Sequence, residues 1–137
     1  MASYRIRGNS TITLVFLDTN AIFSIFEFSI NLTQELTRLI GAHCIQIPKA
    51  VVNEIKTIQK KGKGKQKRLA KPALEFIQQY PVYSHKSYRN ADDALVFEAA
   101  EVDAVVVTND KPLRDRLKDK KISRVFLRGK NHLVFEK

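Results

Sequence analysis

Four large apolar residues, Leu14-Val15-Phe16-Leu17, run without a break and stop at Asp18. An unbroken run of this length, bounded by polar residues, suits a strand buried on both faces. Such strands belong to parallel sheets covered by helices, not to half-solvated antiparallel ones. The pattern recurs late in the chain, where Ala104-Val105-Val106-Val107 leads into Thr108-Asn109-Asp110. Open parallel sheets collect their chemistry just beyond the carboxyl ends of the strands. Asp18 and Asp110 both stand at that edge, and the intervening chain has to bring the two edges together.

Taken in order, residues 1–12 show no strong period and read as a loose arm ahead of a first strand at 13–17. Thr19 or Asn20 can cap a helix through Phe23, Ile25, Phe26 and Phe28. The apolar segment 22–30 suits either the core or a homodimer surface. A second helix spans 31–40, with Leu32, Leu36, Leu39 and Ile40 on one stripe and Gly41 beyond its end. Cys44-Ile45-Gln46-Ile47 is a short strand, and Pro48 suits the first turn of the next helix. There Val51, Ile55 and Ile58 repeat at helical spacing, with Glu54 beside the stripe.

Residues 56–71 carry eight Lys or Arg in sixteen positions and no acid. Gly62 and Gly64 interrupt the pattern, which predicts an exposed, mobile, basic loop. A helix resumes near Pro72 and ends by Pro81, and 82–84 reads as a short strand. Residues 91–100 form a helix opening on Asp92 and Asp93, with Leu95, Val96, Ala99 and Ala100 on its buried side. The strand 104–108, a basic helix at 112–121, a strand at 124–127 and a last one at 133–135 complete the chain. Strands alternating with helices predict an α/β domain over 1–137, with helices on both faces of a central parallel sheet.

The net charge of +10 points to a polyanionic partner, nucleic acid being the commonest and an anionic membrane surface the rival. No apolar stretch approaches a membrane span, and no amphipathic basic helix with aromatics stands out. The polar stretch from Gly8 to Thr13 does not suit a signal peptide, so a cytoplasmic protein is expected. The single cysteine, Cys44, excludes an intramolecular disulfide and Cys-x-x-Cys zinc sites within the chain.

Of the 14 acids, four occupy places that chemistry favours: Asp18 and Asp110 after strands, Glu54 beside a helix core stripe, and Asp93 at a helix start. Each also has a plain structural role open to it, as a helix cap or a surface group. Carboxylates drawn together repel one another and call for a cation. An all-oxygen donor set in a phosphate-binding protein points to Mg²⁺ or Mn²⁺.

Four motifs in sequence carry a family likeness: Leu17-Asp18-Thr19-Asn20, Pro48-x-x-Val51-x-x-Glu54, Ala91-Asp92-Asp93-Ala94-Leu95-Val96 and Val107-Thr108-Asn109-Asp110. In this order they resemble the PIN-domain ribonucleases, archaeal rRNA-processing-like or VapC-like. The resemblance implies a compact three-layer α/β/α sandwich, with Asp18, Glu54, Asp93 and Asp110 as the metal-binding carboxylates. It also implies a supporting set of Asn20, Asp92, Thr108 and Asn109. Asp93 fits the family's third acid better than Asp92, because Leu95, Val96 and Ala100 then fall on its apolar positions. The implied reaction is metal-assisted hydrolysis of RNA phosphodiesters. The doublet Asp92-Asp93 and the string Thr108-Asn109-Asp110 look most like the rRNA-processing branch, whose setting is a pre-ribosomal particle. The same enzyme could also be the toxin of a toxin–antitoxin pair.

An acidic centre repels RNA, so binding has to come from cations elsewhere. Lys56, Lys60, Lys61, Lys63, Lys65, Lys67, Arg68 and Lys71 can track the backbone, with Arg114, Arg116 and Lys118 on a second flank. Two rival classes remain. Phosphatases of the haloacid dehalogenase type need an acid where this chain has Asn20. A non-catalytic RNA-binding assembly factor would not need all four acids.

Overall fold

The computed structural model describes residues 3–6, 10–84 and 86–137, with side chains from residue 12 onward. Seven strands and six helices follow one another as β1 (Ser3–Ile6), β2 (Ser10–Leu17), α1 (Thr19–Glu27), α2 (Leu32–Ile40), β3 (His43–Pro48), α3 (Lys49–Lys61), α4 (Gly64–Ile77), β4 (Val82–Tyr83), α5 (Ala91–Val102), β5 (Val105–Val107), α6 (Lys111–Asp119), β6 (Arg124–Arg128) and β7 (His132–Glu136). The sheet order is β4-β3-β2-β5-β6-β7. Strands β2 to β6 pair in parallel, as the unbroken apolar runs of β2 and β5 lead one to expect. Two antiparallel additions complete the sheet, β7 on β6 and β1 on the first half of β2.

Strand β2 lies at the centre, and all four residues of its apolar run are fully buried. From β2 the chain moves to β3 on one side and later returns to β5 on the other. That reversal opens a crevice at the carboxyl edge of β2, where ligands of open α/β sheets bind. The apolar segment after β2 belongs to the core: Ala21, Ile22, Phe23, Ile25 and Ile30 are buried, and Phe28 packs against them.

The basic stretch is not a loop. Helix α3 runs through Lys61 and α4 starts at Gly64, leaving only Gly62 and Lys63 between them. The two glycines turn the chain instead of dissolving the helices. A Cβ on Gly62 would lie 2.5 Å from the Ile58 carbonyl oxygen, and Gly64 has φ +63°. Each helix keeps an apolar stripe through the lysines, Val51 and Ile55 on α3 and Ala70, Ala73 and Ile77 on α4. Packing of those stripes outweighs the mutual repulsion of solvated charges. Pro72 lies inside α4 instead of opening it, at the cost of one backbone hydrogen bond.

The amino-terminal arm is also more ordered than its pattern suggests. Ser3–Ile6 pairs with Ser10–Thr13, from Ser3↔Thr13 to Ile6↔Ser10, so β2 begins three residues before Thr13. Backbone pairing needs no hydrophobic period, which is why the pattern was silent; residues 1, 2 and 7–9 lie outside the described residues. Pro48 ends β3 and stands at the N-cap of α3. On α5, Ala100 is exposed and Glu98 is buried, against the expected stripe.

Candidate active site

The carboxyl end of β2 is held by its neighbours. The Asp18 N–H donates to the Val107 carbonyl at 2.9 Å, and the Thr108 N–H to that of Val125 at 2.9 Å. Asp18 is the N-cap residue of α1 and only 3% exposed. Its Oδ1 accepts from the Thr19 N–H at 2.7 Å and its Oδ2 from the Thr108 hydroxyl at 2.7 Å. The Thr108 oxygen in turn accepts from the Asp110 N–H at 3.1 Å. One hydroxyl therefore ties together the ends of the two buried strands, each of which carries an acid.

Burial pushes the Asp18 carboxyl up to about 6, against the pull of its two hydrogen bonds, and the negative charges of Asp92 and Glu54 add to the rise. Asp92 is likewise raised, first by burial and then by Asp110 and Glu54, while Arg116 opposes the shift. Asp18 and Asp92 thus both feel the charge of Glu54 across the crevice, and Asp92 feels Asp110 and its neighbour Asp93 as well. Glu54 is exposed on α3, and Asp110 occupies the N-cap position of α6 without a side-chain capping bond. Its carboxylate is thereby left for another role.

Asp93 is differently engaged. Asn90 caps α5 by accepting from the Asp93 N–H at 2.8 Å, and the Asp93 carboxylate takes the Arg116 guanidinium at 3.0 Å. Adjacent residues on a helix point about 100° apart, and on this helix it is Asp92 whose charge reaches Asp18. Asn109 works as a brace: its Oδ1 accepts from the Leu127 N–H at 2.8 Å, and its Nδ2 donates to the Ser24 hydroxyl at 3.3 Å. Asn20 is exposed at the start of α1. Among the described residues no three Asp, Glu, His or Cys side chains stand close enough to enclose a metal.

The basic residues fall into two sets. Lys56, Lys60, Lys61, Lys63, Lys65, Lys67, Arg68 and Lys71 are exposed on the α3–α4 hairpin, where Lys65 pairs with Glu27. On α6, Lys118 is exposed, but Arg116 holds Asp93, and Arg114 lies 3.7 Å over the Phe126 ring and within 3.7 Å of Glu136. Two polar clefts share Ala50, Asn53 and Tyr88 as borders, and Glu54 lines one of them. The residues at 84–90 carry no periodic pattern; an aromatic beside a cation, Tyr88-Arg89, is the one local signal there.

Residues 15–130 match the model of the PIN-like domain family. The chain belongs to the PIN-like domain family. It is 30% identical over 119 residues to ribonuclease VapC4 of Methanocaldococcus jannaschii, covering 84% of this chain and 90% of that protein. It is 23% identical over 128 residues to ribonuclease VapC9 of Archaeoglobus fulgidus, covering 93% of each. The PIN domain endonuclease Utp24 has the same fold, with a TM-score of 0.72 at 24% identity over 90% of both chains. No helix among the described residues of this PIN domain is long and apolar enough to cross a membrane.

The Thr108 hydroxyl favours the ionised form of Asp18. Thr108→Val will therefore move the Asp18 titration above about 6 and leave the Asp110 N–H without its acceptor. A carboxyl ¹³C titration of wild type and variant reads the shift; an unchanged or lower value would show that the hydrogen bond does not act on Asp18.

Proposed function

We propose that this PIN domain is a metal-dependent endoribonuclease whose cation is held by Asp18, Glu54, Asp92 and Asp110. The observation that carries the reading is the pair Asp18 and Asp92 at the switch point of the sheet, whose proton affinity is raised by burial and then by the nearby charges of Glu54 and Asp110. Asp92 takes the place that sequence reasoning assigned to Asp93, which is drawn to Arg116. The donor chemistry fits a hard divalent cation. Mg²⁺ keeps several waters and is commonly held by one or two carboxylates, so it needs no preformed cage of three.

When bound, the cation supplies a water of lowered pKa and neutralises charge on the phosphoryl oxygens. The chain's own residues do the rest. Thr108 and the Thr19 N–H fix the orientation of the Asp18 carboxylate, and Asn109 holds β6 against α1. The lysines of the α3–α4 hairpin attract the RNA backbone, and on α3 Lys60 and Lys61 lie only about 9–10 Å along the helix from Glu54.

Two biological settings follow from different observations. The ribonuclease names of the two VapC relatives favour a toxin-type enzyme with a protein antitoxin as partner. The Asp92-Asp93 doublet and Thr108-Asn109-Asp110 favour rRNA processing in a pre-ribosomal particle. The identity of the RNA that is cut decides between them.

The test is incubation of the purified protein with end-labelled RNA in Mn²⁺, in Mg²⁺ and in excess EDTA. Internal cleavage is expected with either metal and none in EDTA, with activity returning when metal is restored. Cleavage that persists in EDTA, or no cleavage under any condition, would overturn the reading.

A further inference from the structure

The two polar clefts that share Ala50, Asn53 and Tyr88 form one path starting at Glu54. The inner one, about 300 Å³, is bordered by Glu54, Asn53, Arg89 and Asn90, the cap of the helix that carries Asp92. The outer one, about 430 Å³, continues past Ala50, Asn53 and Tyr88 to Lys49, Ser84, Lys86 and Ser87. Among the described residues that border the path, Glu54 at its inner end is the one acid, and three are cations: Arg89 in the inner cleft, Lys49 and Lys86 in the outer. The outer cleft is of a size that small ligands occupy.

Tyr88 borders both clefts and stacks on Phe97, with ring centroids 6.1 Å apart and planes 17° from parallel. Phe97 is 45% exposed, although most apolar residues of α5 are buried. The Tyr88 hydroxyl is buried and has no hydrogen-bond partner among the described residues. A purely structural aromatic at this position would do better as phenylalanine. Lys86 rests 3.0 Å from Glu101, but both side chains are well exposed, at 57% and 40%. Ion pairs so placed are weak, and a phosphate can displace the carboxylate. Pro48 makes no side-chain capping bond at the start of α3, so the first-turn N–H groups beside Lys49 add to the positive field.

We infer that this path is a subsite for single-stranded RNA: Lys49, Lys86 and Arg89 hold backbone phosphates, and the Tyr88–Phe97 pair receives an unstacked base. Only an unpaired strand can present a base face to an aromatic side chain while its phosphates follow a cationic groove. The inference rests on the nuclease reading above and adds to it the residues that hold the strand outside the acids and the side on which it leaves Glu54.

The test uses the full-length protein and a fluorescein-labelled oligouridylate of twelve nucleotides, followed by fluorescence anisotropy in EDTA over a range of KCl concentrations. Lys49→Ala/Lys86→Ala is expected to weaken binding about tenfold. It should also lower the slope of log affinity against log salt by about 1.4, the loss of two single-strand phosphate contacts. Phe97→Ala should weaken the oligouridylate about 5–10-fold and leave a blunt RNA duplex of the same length unaffected. Thermal melts establish that the variants are folded. Wild-type affinity and salt slope in the folded variants would overturn the inference, as would equal loss for duplex and single strand.

Cleavage in Mn²⁺ separates the two readings. Weakened binding by the variants, in a protein that cuts no RNA, would keep the subsite and remove the nuclease. A wild type that cuts RNA, with variants that bind as it does, would remove the subsite alone.

Discussion

Asp18→Asn will lose RNA cleavage by at least about 100-fold and will at the same time melt at a higher temperature than the wild type in metal-free buffer at pH 8. The loss follows from removing the most buried of the four acids and the one fixed on both oxygens, at the point where a cation is proposed to sit. The gain in stability follows from the titration. Asp18 binds its proton more tightly in the folded state, with a pKa of about 6 against 3.8 for the free side chain. Relative to a neutral isostere, the wild type is therefore uncompromised below about pH 4, and its stability falls as pH rises through 6. The difference of about two units corresponds to about 3 kcal/mol.

Asparagine keeps the shape and carries no charge to desolvate; its one oxygen still accepts from the Thr19 N–H, and its NH₂ donates to the Thr108 oxygen in place of the bond that Thr108 gives the carboxylate. Its advantage should shrink from several degrees at pH 8 towards zero near pH 4, read by differential scanning calorimetry in EDTA. Added Mn²⁺ should then raise the melting temperature of the wild type and not that of the variant. A variant that melts below the wild type at pH 8 would show that the Asp18 charge is not costly in the fold. A variant that still cleaves at wild-type rate would exclude Asp18 from the site.

Phe16→Ala should have the largest effect on stability, with the opposite sign. Phe16 is fully buried in the central strand and its ring lies 4.9 Å from that of Tyr83. Truncating a phenylalanine in such a place costs about 3–5 kcal/mol, through lost transfer energy and the cavity left behind. That is a large part of the total stability of a typical domain. A fall in melting temperature of about 10–20 °C is expected. Urea denaturation with an unchanged m-value and a lower midpoint checks that the loss is one of stability alone. A loss below about 1 kcal/mol would mean that the centre of the sheet collapses around the smaller side chain.

The two substitutions lie two residues apart on one strand and its end, and they separate what builds the fold from what the fold exposes to chemistry. The apolar run of β2 stabilises the sheet, and that sheet holds a carboxylate where its charge is unfavourable without a counter-ion. Such opposition between stability and function is common at sites that carry buried charge.

Much of this architecture was legible in the residues because it depends on local or periodic patterns. Residues 14–17 and Val105–Val107 are buried parallel strands because that environment suits consecutive apolar side chains on both faces. Asn31 and Gly41 bound α2 as their side chains and backbone freedom dictate, with Gly41 at φ +73°. The positions of Asp18 and Asp110 at strand ends follow from the same runs.

Tertiary structure alone decided the rest, because it depends on contacts between residues far apart in sequence. Whether Asp92 or Asp93 turns towards Asp18 is a matter of helix rotation, set by which residues of α5 are buried and by Arg116 from α6. The basic segment folds as a helical hairpin because α3 and α4 find each other's apolar stripes, which lysine content conceals. Arg124 offers the same lesson in the core. It reads as an ordinary strand-end cation, yet it is 1% exposed and satisfied by Glu136 and by the carbonyls of Ile122 and Lys137. The path from Glu54 past Tyr88 to Lys49 and Lys86 joins α3 to the segment before α5. Hydrophobic period determines which face of an element is buried; it does not specify which polar residues of separate elements meet across a crevice, and the chemistry of this protein lies at that meeting.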